Sequence, residues 1–153
     1  MKMRACILHQ KTGQTVSILT ISAIFSLLLL VLAVPIKAGE VTPTTITISW
    51  TAPGDNGSSG CANLYDIRYA TMTINSGNWD NCNQSDDEPT PQPFGSQESF
   101  TLTNLDPDTW YFIAMMTADE ASNWSELSNV IAVKTQSLSL DVETDELDRK
   151  SVV

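Results

Sequence analysis

Leu105-Asp106-Pro107-Asp108-Thr109-Trp110-Tyr111 decides the architecture of this chain, together with the alternating run Phe112 to Thr117 that follows it. A turn built on Pro107 feeds a strand whose first tyrosine can swing back over the corner and hydrogen-bond the backbone just upstream. That is the tyrosine corner of Greek-key β-sandwiches. Side chains alternate along a strand. With Tyr111, Ile113 and Met115 turned inward, Trp110, Phe112, Ala114 and Met116 therefore point outward.

Outward from that strand, the same period recurs in short segments. In Thr45 to Trp50, Ile46, Ile48 and Trp50 share one face. In Leu64 to Ala70, Tyr65, Ile67 and Tyr69 do the same. Phe100 and Leu102 lead into the Leu105 turn, and Ile131 and Val133 close the set. No helical period competes here, and turn clusters such as Pro53 to Gly60 separate the segments. The span from Glu40 to Gln136 suits one sandwich and leaves no room for a second domain. Two stretches break the rhythm. Asn83 to Gln97 carries Asp86-Asp87-Glu88 and Pro89, Pro91 and Pro93, and reads as a long solvated loop. Ser137 to Val153 is acidic, has no aromatic residue, and reads as a disordered tail.

Charge divides the chain. Residues 1–38 hold Lys2, Arg4, Lys11 and Lys37 and no acid. The rest holds four basic residues against all 18 acidic ones, a formal charge of −14, whereas the whole chain carries −10. Such a surface repels phosphate backbones and anionic lipid, so nucleic acid is not an expected partner. The uncharged run Thr12 to Ile36, densest in apolar residues from Ala23 to Val34, follows basic residues and precedes Ala38. This pattern is that of a secretory signal peptide cut after Ala38. An uncleaved signal anchor is the alternative, since Val16 to Ile36 as a helix spans about 30 Å. In either case the exported part follows the leader, and a membrane is involved only through that segment.

Cys6 lies in the leader, which leaves Cys61 and Cys82. An even pair of thiols in an oxidising compartment is expected to form a disulfide, closing a loop worth about 3 kcal/mol. Two semi-buried thiols are the alternative. The sole histidine, His9, is also in the leader, so the exported part has no imidazole for acid–base work, and no enzyme activity is expected. Asp86-Asp87-Glu88 with Asp80 offers oxygen atoms but matches no calcium-loop spacing, so neither metal nor cofactor is expected. The sharper candidate is the outward stripe Trp110, Phe112 and Met116, with Val130 and Ala132 beside it on the last strand. It would dock a neighbouring domain or stack on sugar rings, unless Arg68 and Lys134 shade it.

In sequence order, these motifs resemble a fibronectin type III domain of the kind found in exported bacterial proteins. The matching residues are Ile46-x-Ile48-x-Trp50, Tyr65-x-Ile67-x-Tyr69 and Leu105-x-Pro107-x-Thr109-x-Tyr111, followed by Thr117 to Glu120, Asn123 to Ser125 and Leu127 to Asn129. The resemblance implies an all-β, immunoglobulin-like two-sheet sandwich after an N-terminal signal or transmembrane helix. Trp50 would lie in its core, Tyr111 at its corner, and Tyr69 and Leu105 in supporting positions. The expected division is a leader over 1–38, the domain over 39–136 and the tail over 137–153. With a cut after Ala38 only Gly39 to Pro43 would remain of the first strand, so either Ile36 to Ala38 is retained and completes it or the sheet edge is left thin. The expected function is an exported, non-catalytic binding or spacer module with a protein or carbohydrate ligand. The alternative is an accessory domain, or a fragment, of a larger extracellular enzyme.

Overall fold

The computed structural model describes residues 33–54 and 58–139. The body of the expected leader, the centre of the Pro53–Gly60 loop and most of the acidic stretch after residue 136 lie outside those residues. Seven strands are described: β1 (Lys37–Val41), β2 (Ile46–Thr51), β3 (Leu64–Ala70), β4 (Asn83–Gln84), β5 (Gln97–Leu102), β6 (Trp110–Ala118) and β7 (Ile131–Lys134). One sheet has the order β1-β2-β5 and the other β4-β3-β6-β7. All the pairings are antiparallel.

The register puts the alternating apolar positions where the two sheets face each other. Ile46 pairs with Leu102 and Ile48 with Phe100, while Ile67 pairs with Met115 and Tyr69 with Ile113. Ile46, Ile48, Ile67 and Ile113 are fully buried, and Trp50, Leu102, Leu105, Tyr111 and Met115 join them in one cluster. Trp50 meets Tyr65 edge to face, with centroids 5.1 Å apart. The corner closes as its sequence implies. The Asp106 N–H donates to the Tyr111 hydroxyl at 2.9 Å, and the Leu105 N–H donates to the Thr44 carbonyl at 3.1 Å. Asn104 and Asp108 take the left-handed conformation there (φ 58° and 53°), which Asn and Asp tolerate because their short polar side chains bond locally. Above β7, the Ser125 and Ser128 hydroxyls accept from the Thr117 and Met115 N–H groups, so side chains continue the ladder beside β6.

The sandwich starts earlier than residue 39. Val34 and Ile36 belong to the core, at 5% and 2% exposure, and β1 begins at Lys37. The first strand is therefore present, and its leading residues sit inside what reads as the end of the apolar leader. A leader and a core strand are both apolar, so their junction shows no change in composition.

The Asn83–Gln97 stretch is tied down rather than free in solvent. β4 pairs with β3, the Ser85 N–H donates to the Ile67 carbonyl at 2.9 Å, and Glu88 Oε1 accepts from the Ile67 N–H. These anchors precede Pro89, where the backbone still has its donors. At the far end, the buried Glu98 carboxylate accepts from the Tyr65 hydroxyl at 2.7 Å and from the Gln92 N–H at 3.1 Å. Burial, and then the hydrogen bond to Glu98 and its charge, hold the Tyr65 phenol well above its ordinary range.

Candidate functional site

The outward residues of β6 take their neighbours from the ladder. Phe112, Ala114, Met116 and Ala118 stand opposite Ala70, Arg68, Asp66 and Leu64 on β3, while Trp110 and Phe112 stand opposite Lys134 and Ala132 on β7. Over the middle of this face folds the segment between β3 and β4. Its turn is set by asparagines: the Asn78 side chain accepts from the Asn75 N–H at 2.7 Å and donates to the Thr73 carbonyl at 2.9 Å. A 3-10 turn at Trp79–Asn81 follows. This flap lays Ile74 and Trp79 against Ala70 and Ala114, two small residues that leave room for the indole. Phe112, Met116, Leu127 and Val130 pack around that second cluster. Arg68 rivets it down. Its guanidinium lies 4.9 Å from the Trp79 ring centroid, donates to the Trp79 carbonyl at 2.9 Å and pairs with the nearly buried Asp66 at 2.9 Å.

The flap divides the stripe read from the sequence. Phe112, Met116 and Val130 are half-buried beneath it or at its margin, whereas Trp110 (55% exposed) and Ala132 stand clear. Lys134 binds Asp108 at 2.6 Å, so a fixed ion pair stands on the strand next to Trp110. At the other end of the same face, Leu64 and Trp124, both about half exposed, pair with Ala118 from either side. Ile74 and Trp79 have no place in the sequence-based expectation, which names Arg68 only as a residue that would shade the stripe. Their signal was there: two apolar residues on either side of Asn75-Ser76-Gly77-Asn78 are a turn with something to bury.

The expected Cys61–Cys82 disulfide is not formed, and Cys82 is a free thiol. Strand geometry explains this. Cys82 adjoins Asn83, which pairs with Tyr69 near the end of β3, while Cys61 precedes the start of β3 at Leu64. Five steps along the strand separate Leu64 from Tyr69, about 16 Å at ~3.3 Å per residue, against a Cα separation below about 7 Å for a disulfide. The Cys82 thiol donates to the Asn78 carbonyl at 3.3 Å. Burial pushes its pKa up, with Arg68 acting in the opposite sense.

The acidic residues scatter. Asp80 lies 3.7 Å from Arg68, and Glu88 turns back to β3. Asp86 and Asp87 instead edge a cleft of about 380 Å³ on the open side of the sandwich, between the continuation of β4 and the end of β5. Tyr69, Phe100 and Leu102 also line it, and the buried Ser85 hydroxyl there has no hydrogen-bond partner. An acidic rim of this kind repels anions. Among the described residues, no three His, Cys, Asp or Glu side chains converge as a metal site would require.

Two antiparallel sheets, a tyrosine corner and a single inter-sheet core define an immunoglobulin-like sandwich. The family model for the fibronectin type III domain matches residues 34–134, so this chain belongs to the fibronectin type III family. Solved structures similar to it include the FN1–FN3 domains of chicken CNTN1, at 19% identity and a TM-score of 0.47, with 66% of this chain and 30% of that one covered. Domains A168–A170 of titin are similar at 17% identity and a TM-score of 0.46, with 66% and 30% covered. The sensor domain of the anti-sigma factor RsgI4 of Pseudobacteroides cellulosolvens is similar at 24% identity and a TM-score of 0.42, with 71% and 99% covered. This chain thus spans less than a third of the CNTN1 and titin chains.

Proposed function

We propose that this protein is an exported, non-catalytic binding module that engages a protein or carbohydrate partner through the Trp110 end of its outer face. One observation carries the reading. On a strand otherwise covered on both sides, Trp110 presents more than half of its surface to solvent. Indole is among the side chains enriched at binding hot spots, and its broad flat face suits sugar rings as well as apolar protein surface. The neighbouring Lys134–Asp108 pair supplies a polar rim. The basic N-terminal segment with its apolar run, and the strongly acidic remainder, support export and disfavour nucleic acid.

The test compares the exported protein with its Trp110→Ser variant, first on a glycan array and then by pull-down from the extracellular fraction. Loss of a reproducible ligand with an unchanged melting curve is the expected result. A ligand held equally well by both proteins would move the site elsewhere on the domain, and no ligand for either would leave the module a spacer.

A further inference from the structure

We infer that the leader is removed between Ala33 and Val34, so that residues 34–38 stay with the folded domain. The inference rests on the export reading above and fixes its processing site. From Val34 to Lys37, buried and exposed residues alternate: Val34 and Ile36 lie in the core, Pro35 and Lys37 outside it. That is the period of a strand entering β1, not of a segment to be discarded. The side-chain amide of Asn129 grips the backbone of Ile36 from both sides. Asn129 Oδ1 accepts from the Ile36 N–H at 2.7 Å, and Nδ2 donates to the Ile36 carbonyl at 3.0 Å. Lys37 then pairs with Ser49 and Ala38 with Ile48.

A cut after Ala38 would strip two core side chains, leave the Asn129 amide without its partner and remove two of the three pairs that register β1 on β2. A cut after Ala33 costs the sandwich none of these. The sequence there meets the requirement for a small residue at the cleavage point: Ala33 lies near the end of the uncharged run, with Val31 two positions before it. The family match also begins at Val34. In the step itself, a signal peptidase adds water across the Ala33–Val34 amide, leaving a carboxylate on Ala33 and an α-amine on Val34.

The test uses the full chain expressed in an exporting host, with N-terminal sequencing and intact mass of the exported product. A start at Val34 is expected. Ala33→Arg should accumulate uncut in the membrane fraction, whereas Ala38→Arg, at an exposed position on β1, should be cut and should melt like the parent. A mature start at Gly39, or a block caused by Ala38→Arg, overturns the inference while leaving export intact. A start at Met1 in the membrane fraction overturns it in favour of an anchor, and a chain retained in the cytoplasm overturns the export reading as well.

Discussion

The two sides of β6 bury comparable residues by different means. Inward, Tyr111, Ile113 and Met115 join Ile46, Ile48 and Trp50 of the opposite sheet, so one alternating pattern fits against another. Outward, Phe112 and Met116 lie against Ile74 and Trp79, which arrive on an irregular flap pinned by Arg68 and two asparagines. The inner layer is a consequence of strand periodicity. The outer layer depends on a few polar contacts that hold the flap in place, so its loss should be local where loss of the inner layer is global.

Trp50→Ala gives that contrast its upper end. Deleting a large buried aromatic costs roughly 3–5 kcal/mol, out of about 5–15 kcal/mol for a domain of this kind. Denaturant unfolding should show a large fall in midpoint affecting every strand together. Arg68→Ala should come next, at about 3 kcal/mol, because it leaves Asp66 buried without its cation and unpins the flap. Amide exchange should then quicken in residues 71–82 more than in β2 or β5. Equal acceleration throughout would mean that the two layers form a single cooperative unit.

Alkaline pH probes the inner layer by another route. The Tyr65 phenol is raised above its usual 10.0 by burial first. Above pH 10 the unfolded chain gives up that proton and the folded one keeps it, so stability is full below pH 10 and declines as pH rises further. Tyr65→Phe should flatten that decline, as read from melting curves between about pH 9 and 12. Tyr111→Phe removes only the corner hydrogen bond from Asp106 and should cost about 1 kcal/mol in the same unfolding measurement.

The contrast also explains what the sequence could tell. Strands β2, β3 and β6 and the corner are legible because alternation and turn chemistry are local signals, carried by Ile46 to Trp50, Tyr65 to Tyr69 and Leu105 to Tyr111. The flap is not legible in that way. What buries Trp79 is Ala114, an interior position of a strand 35 residues further on, so the Asn75–Asn78 turn signals something to bury but not what covers it. The thiols misled for a related reason. Cys61 and Cys82 do flank β3, but at opposite ends, and an even count carries no information about distance. The first strand was hidden by likeness, since Val34 and Ile36 continue the apolar composition of the leader while obeying the period of a strand.

The proposed binding site inherits this division, because the flap covers Phe112 and leaves Trp110 open. The most direct test is parallel denaturant unfolding of Trp110→Ser and Phe112→Ser, with ligand capture measured on both. Trp110→Ser should stay within about 0.5 kcal/mol of the parent, as exposed positions do, and lose its ligand. Phe112→Ser should lose about 2 kcal/mol because it opens the second cluster. Equal destabilisation of the two, or a stable Phe112→Ser beside an unfolded Trp110→Ser, would contradict the account.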